Sequence, residues 1–303
     1  MSDIDALLIT PPSRLEVYQG LSNDYAAIEP PVWSSLIANY LFKRGYNVKI
    51  LDAEADNLNH EQTAQKIISI NPKLAVFMIY GQQPSASTQC MPGGKKTCDK
   101  LNSLSNNLIK TIVVGTHASA LPKKTLEEEP YDFVCQGEGP VTIRKLIDHI
   151  KNKKTKLEDI PGLWFFDHDK NIKSNKREPM FENLDQDLPG QAWKLLDMSK
   201  YKAHNWHAFG KLGTRNSYAS LQTSLGCPFK CTFCCINAPF ERNTIRFWSP
   251  EHIINQIKIL VEDYNIYNIK IPDEMFVLNP KQVTGICDEI IKRGYGEKLN
   301  FWA

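Results

Sequence analysis

No stretch of this chain reaches the roughly 18 to 20 consecutive apolar residues of a membrane span. The N-terminus lacks a charged-then-apolar signal pattern, because Met1 leads straight into the strand-like run Ile4–Thr10, so a cytoplasmic protein is expected. An excess of one charge is missing as well. The 36 Lys and Arg stand against 34 Asp and Glu, a formal net charge of +2, which gives no reason to expect nucleic acid or an anionic membrane as partner. Basic runs such as Lys151–Lys156 are short and read as solvated surface. No internal repeat or low-complexity tract is visible. What remains is ordinary globular composition, with 42% hydrophobic and 23% charged residues over 303 positions, enough for about two domains with their own cores. The eight cysteines of such a chain are reduced thiols or metal ligands rather than a disulfide framework.

The first half alternates strand and helix signals. Ile4–Thr10 is an apolar run stopped by Pro11-Pro12, and Tyr46–Leu51, Leu74–Tyr80, Thr111–Val114 and Phe133–Cys135 are further strand candidates. Helical spacing falls between them, over Pro31–Arg44, Glu61–Ile70, Leu101–Ile109 and Pro140–Lys151, with a helical turn at Leu126–Glu129. Strands alternating with helices predict an α/β fold of flavodoxin- or Rossmann-like type, a doubly wound parallel sheet over residues 1–151. In such sheets ligands bind outside the carboxyl ends of the strands, near the switch in strand order. Those ends include Thr10-Pro11-Pro12, Gly81-Gln82-Gln83-Pro84-Ser85, Gly115-Thr116-His117-Ala118-Ser119 and Gln136-Gly137-Glu138-Gly139-Pro140. Their small and polar residues let backbone approach a ligand closely.

Residues 152–217 form a polar, proline-marked bridge, with a small hairpin expected around Asp167–Lys170. A second βα series follows over 218–303. Ser220–Leu225 is a strand, and Pro250–Tyr264 is a helix with Ser249 as N-cap. Ile266–Ile271 is a strand ending at Pro272-Asp273-Glu274, Pro280–Arg293 is a helix closed by Gly294, and Leu299–Ala303 begins another strand.

The sharpest signal is Cys227-Pro-Phe-Lys-Cys231-Thr-Phe-Cys234, a CxxxCxxC on the loop after a strand. Three thiolates on one loop can hold three irons of a 4Fe–4S cubane and leave the fourth iron open to a small molecule. On spacing alone, zinc and coincidence remain open, although structural zinc sites usually pair two separated ligand units. The extra candidate ligands are His204, His207 and Cys235. The Gly-rich loops of the first domain would by themselves suit flavin or a nucleotide.

This motif, with Phe233 before its last cysteine and a preceding Ser224-Leu225-Gly226, resembles the radical S-adenosylmethionine superfamily. The resemblance implies that Cys227, Cys231 and Cys234 hold a 4Fe–4S cluster, that S-adenosylmethionine chelates the open iron, and that Phe233, Asp273 and Glu274 contact it. No further catalytic residue is assignable. A carboxylate facing the methionine ammonium gives the physical reason for an acidic strand end. The first domain is then similar to the cobalamin-binding domain fused upstream of one class of that superfamily. The order of Pro11-Pro12, the 30–44 helix, Gly81–Ser87, Gly115-Thr116-His117, Ala120-Leu121-Pro122 and Gly137-Glu138-Gly139 carries this, as do Ile160–Leu163, Leu184-Asp185 and Leu188-Pro189 in the bridge. It implies cobalamin contacts from Pro11, Pro12, Gly81, Gln82, Gln83, Ser85, Gly115, Thr116, His117, Gly137, Glu138 and Gly139. The loop from Thr10 to Leu15 carries no histidine, so cobalt is expected to lack a protein histidine.

The class further implies a 5′-deoxyadenosyl radical, methyl transfer from cobalamin to an unactivated carbon of a small molecule, and an electron donor such as flavodoxin or ferredoxin. A cyclase or ring-rearranging enzyme is the alternative within the class. Residues 218–303 hold two βα units and part of a third strand where the family's barrel has about six. A truncated barrel is therefore expected, and with it the alternative of an inactive cobalamin-binding fragment. A zinc-binding interaction module is the rival from another class.

Overall fold

The structure, a computed structural model, describes residues 3–22, 26–80, 86–152, 155–204 and 215–303. Its first part opens with β1 (Ala6–Thr10), the short α1 (Arg14–Tyr18), α2 (Val32–Phe42), β2 (Val48–Asp52), α3 (His60–Ile70) and β3 (Leu74–Met78). Then come α4 (Ser87–Ser105), β4 (Lys110–Val114), α5 (Thr116–Ala120), α6 (Pro122–Glu128), β5 (Phe133–Cys135) and α7 (Pro140–Asn152). The five strands pair in parallel in the order β2-β1-β3-β4-β5. β3 is buried at every position, as its unbroken apolar run requires when helices cover both faces. On one face α3 and α4 supply Ala64, Ile67, Met91, Cys98 and Leu101. On the other, α2 and α7 supply Leu36, Ile37, Ile143 and Leu146.

Two features depart from the sequence expectation. The helix expected at Leu101–Ile109 runs from Ser87 to Ser105, with Pro92 and Gly93-Gly94 inside it. The glycines are steric necessities. A Cβ on Gly93 would lie 2.5 Å from Pro12 O and 2.9 Å from Ser13 Cβ, and one on Gly94 2.7 Å from Ile79 Cδ1. Their absence of side chains lets α4 lie against the loop after β1. The hairpin of the bridge, β6 (Leu163–Phe166) and β7 (Ile172–Ser174), joins the main sheet antiparallel beyond β5, so the sheet has seven strands where five were expected.

The rest of the bridge, with α8 (Leu184–Asp187), wedges between α2 and the second βα series. Asn39 Nδ2 donates to Pro189 O and Gly190 O at 3.0 and 2.9 Å, and Ala192 N donates to Ser35 Oγ at 2.8 Å. The second series contains β8 (Ala219–Ser220), β9 (Ser224–Leu225), β10 (Arg246–Phe247) and α9 (Pro250–Tyr264). It continues with β11 (Asn268–Lys270), α10 (Pro280–Lys292) and β12 (Asn300–Trp302). Its parallel strands run in the order β12-β11-β8. The single strand expected over 220–225 is split, and its second piece, β9, pairs antiparallel with β10. Ser249 caps α9 by accepting from His252 N, as expected. Gln256 on α9 accepts from Gln191 N at 3.1 Å and Trp193 Nε1 at 3.0 Å. One continuous apolar core therefore runs from the sheet through the bridge into the second series.

Candidate functional site

The order β2-β1-β3 places the reversal of strand order at β1, and a cleft opens at the carboxyl ends of these three strands. It encloses about 1130 Å³, counting space open to solvent. Thr10 and Pro11 line it after β1, Asp52 and Glu54 after β2, and Met78–Tyr80 after β3. Gln222 and Pro272, from beside β8 and β11, close the opposite side, so the cleft lies between the two βα series.

Its wall is preorganised. Tyr80 stacks on Trp33 with ring centroids 4.8 Å apart and planes 9° from parallel. Glu54 accepts from the backbone amides of Ser13 and Arg14 and pins the loop after β1. Asp52 is buried and accepts from Glu54 N, Ala55 N and Tyr201 Oη, each at 3.2 Å. Burial pushes its carboxyl up to about 7. Three buried polar atoms of the lining, Thr10 Oγ1, Tyr80 Oη and Gln222 Oε1, have no hydrogen-bond partner among the described residues. Buried polar groups are rarely left so. The cleft thus suits a ligand with a large apolar body and polar substituents.

Beyond β4 and β5 the neighbouring loops continue this edge. Gly115 passes Ile79 O so closely that a Cβ would lie 2.1 Å from it. Ser87 Oγ donates to Ile79 O and accepts from His117 N at 3.0 Å, while His117 Nδ1 pairs with Thr88 Oγ1 at 2.9 Å. Burial and nearby Lys124 hold the His117 imidazole below its usual range. Thr116 Oγ1 is buried without a partner among the described residues. Ser119 Oγ joins this loop to the next through Gly137 N at 3.1 Å and Gly137 O at 3.3 Å.

Glu138 is engaged within the protein. Its carboxylate is buried against Arg246, at 2.8 and 3.1 Å. Of the residues the resemblance assigns to cobalamin, Pro11 lines the cleft. Pro12 underlies α4, and the 115–117 and 137–139 loops flank the same sheet edge. Gly81, Gln82, Gln83 and Ser85 lie outside the described residues. Sequence reasoning missed Asp52, Glu54, Tyr80 and Trp33. The rule that pointed to the other strand ends applies equally to the end of β2, where Asp52 and Glu54 sit.

The cysteine loop runs from β9 to β10. Gly226 opens it at φ +90°, where a Cβ would lie 2.4 Å from Thr244 O. Asn237 brackets its first cysteine, accepting from Cys227 N at 3.1 Å and donating to Cys227 O at 2.8 Å. A turn from Cys231 O to Cys234 N, 3.1 Å, orders the other two. Cys227 is half-buried, Cys231 and Cys234 are exposed, and all three thiols are free. Phe233 is 92% exposed. Among the described residues no three His, Cys, Asp or Glu side chains gather as a metal site. The loop therefore carries the three sulfurs together without converging them. The donor set itself, three unpaired thiols on one solvent-facing loop, suits a cluster.

Asp273 and Glu274 divide in role. Asp273 accepts from Thr223 N, Thr223 Oγ1 and Ser224 Oγ at 2.9, 2.6 and 2.7 Å, and so braces the strand that enters the cysteine loop. Its carboxylate is engaged within the protein. Among the described residues, no side chain hydrogen-bonds to Glu274. Burial, together with the charge of Asp273, raises it to about 7.

Residues 19–147 match the B12 binding domain family. Across 97% of its length the chain is 27% identical to an uncharacterized methyltransferase of Pyrococcus horikoshii, covering 58% of that protein. It is 25% identical, over 94% of its length, to the anaerobic magnesium-protoporphyrin IX monomethyl ester cyclase of Cereibacter sphaeroides, covering 44% of it. The cobalamin-dependent S-adenosylmethionine radical enzyme OxsB, solved with aqua-cobalamin and S-adenosylmethionine, superposes with a TM-score of 0.72 at 20% identity. That match covers 98% of this chain and 38% of OxsB, and it establishes the fold. The chain spans about half the length of the curated relatives it matches.

Proposed function

We propose that this chain is the cobalamin-binding domain and first βα units of a cobalamin-dependent radical S-adenosylmethionine enzyme that methylates an unactivated carbon of a small molecule. The observation that carries it is the cleft at the sheet's switch point, which is closed by Gln222 and Pro272 of the second series. A cofactor held by the first domain there would face the mouth of the second. The B12 binding domain match over 19–147 names that cofactor.

When bound, the cluster would supply the electron that cleaves S-adenosylmethionine, and cobalamin the methyl group. Cys227, Cys231 and Cys234 would ligate three irons. Asp273 holds the incoming strand through Thr223 and Ser224, and Asn237 holds the first cysteine. Glu274, half-buried and without a side-chain partner among the described residues, would receive the methionine ammonium, and Phe233 would contact the bound S-adenosylmethionine. Thr10, Tyr80 and Gln222 offer polar atoms to the corrin substituents, while Trp33 and Tyr80 supply a flat apolar wall that excludes water. The first-domain loops at Gly115–His117 and Gly137–Gly139 would take the remainder of the cofactor. Residues 1–151, 152–217 and 218–303 are the corresponding domain divisions.

No helix among the described residues is long and apolar enough to cross a membrane. All eight cysteines are free. A cytoplasmic setting and a flavodoxin or ferredoxin as electron donor complete the proposed reading. The cyclase relative favours ring formation as a second reading at the same site.

Anaerobic iron–sulfur reconstitution with added cobalamin tests the proposal. About four irons and one cobalamin per chain, with iron lost in a Cys227→Ala/Cys231→Ala/Cys234→Ala variant, is the expected result. Zinc in place of iron would sink it.

A further inference from the structure

Two arginines tie the outgoing leg of the cysteine loop to the first domain. Arg246, on β10, donates from Nη2 to Glu138 Oε1 at 2.8 Å and from Nη1 to Glu138 Oε2 at 3.1 Å and Phe181 O at 2.8 Å. The paired side chains are 5% and 9% exposed. Arg177, from the bridge, donates from Nη1 to Ala238 O and Phe240 O, both at 3.1 Å, and from Nη2 to Ser119 O at 3.2 Å. Ala238 and Phe240 follow Cys234 closely. Ser119 and Glu138 belong to the two loops joined by the Ser119–Gly137 hydrogen bonds. Phe240 also packs on Trp33, with ring centroids 6.4 Å apart, in the cleft wall.

A buried fork-shaped guanidinium holds its partners in one register, since either partner left alone is a desolvated, uncompensated group. The cysteine loop is therefore held from both stems, by Asp273 within the second series and by these two arginines, which reach Ser119 and Glu138 of the first domain. We propose that Arg177 and the Arg246–Glu138 pair are positioning residues that register the cysteine loop against the 115–119 and 137–139 loops, coupling occupancy of one to occupancy of the other. This rests on the cofactor reading above. A ligand that orders Gly137 also orders Glu138, and through it Arg246. Such coupling is reciprocal between the two sites.

The test uses the full chain as wild type, Arg177→Ala, Arg177→Lys and Glu138→Gln. Hydrogen–deuterium exchange without cofactors reads the tie directly. Exchange over residues 226–246 should quicken about tenfold in Arg177→Ala and Glu138→Gln, with α3 unchanged and Arg177→Lys in between. Unchanged exchange in that segment overturns the proposal. Exchange that also rises in α3 reflects general loosening and overturns it too.

Iron loss to a chelator, measured with and without hydroxocobalamin, reads the coupling. Cobalamin should slow iron loss in the wild type, and this protection should vanish in Arg177→Ala and return partly in Arg177→Lys. Equal protection in wild type and Arg177→Ala overturns the coupling. A wild type that takes up neither iron nor cobalamin overturns the cofactor reading and the coupling with it, whereas the exchange experiment judges the positional tie without either cofactor.

Discussion

Lys270 Nζ lies 2.8 Å from Glu29 Oε2 and 3.0 Å from Glu29 Oε1, joining β11 to the segment that leads into α2. Both side chains are nearly buried, at 6% and 9% exposure, and Ser220 Oγ adds a third bond to Glu29 at 2.8 Å. Glu29 lines the cleft, so this ion pair fastens the cleft's rim to the second βα series.

Removing one partner strands a buried charge. Lys270→Met or Glu29→Gln should lower unfolding stability by about 3–5 kcal/mol, and the Glu29→Gln/Lys270→Met double variant should recover most of it. Urea midpoints of the three variants check this. Additive losses in the double variant would show that the residues act separately.

Asp52 makes stability depend on pH in a defined direction. Its carboxyl is raised by burial to about 7, above its value in an unfolded chain, with Glu54 and Asp56 adding repulsion and Tyr201 opposing it. A raised acid binds more protons folded than unfolded, so its contribution is most favourable at low pH and falls away as pH climbs from about 4 to about 7. Asp52→Asn should flatten that fall and be the more stable protein at pH 8, since an amide keeps the oxygen that accepts from Glu54 N and Ala55 N. Unfolding midpoints of both proteins from pH 4 to 8 give the comparison, and parallel curves would refute it.

Gly93 has no room for a methyl group. Gly93→Ala drives Cβ into the Pro12 carbonyl, which is backbone and cannot rotate aside, and should cost about 1–3 kcal/mol. Gly296→Ala, with nothing within 4 Å, should change stability by less than about 0.5 kcal/mol. Denaturant melts of the pair separate crowding from any general intolerance of alanine.

Asp273 and Glu274 should fail differently. Asp273→Ala leaves Thr223 and Ser224 donors without their acceptor and should lower the unfolding midpoint as well as iron retention. Glu274→Gln should not lower the midpoint, and should weaken S-adenosylmethionine binding to reconstituted protein by roughly tenfold or more, the loss expected for one charge-assisted bond. Isothermal titration on the two variants distinguishes brace from ligand contact.

The helix Pro250–Tyr264 was legible end to end because its signals are local. Ser249 caps it, Pro250 fits its first turn, and its apolar residues repeat at helical spacing. Strands β1 and β3 were legible for the same reason, as apolar runs bounded by Pro11-Pro12 and by a glycine. The start of α4 was not, because the fit of Gly93 is set by the Pro12 carbonyl, 81 positions away. The capture of Glu138 by Arg246 spans 108 positions, and no pattern near either residue announces it.

By itself the sequence determined the alternation of strand and helix, the parallel sheet and the run of three cysteines on one loop. Each is set by spacing along a single stretch of chain, where periodicity and turn chemistry act. Only the tertiary structure decided which partners the carboxylates meet. Asp273 is taken by Thr223 and Ser224, and Glu138 by Arg246, while Glu274 has no side-chain partner among the described residues and Asp52 is buried beside the cleft. A charged side chain's role depends on what desolvates and neutralises it, and those neighbours come from distant parts of the chain that meet only when it folds.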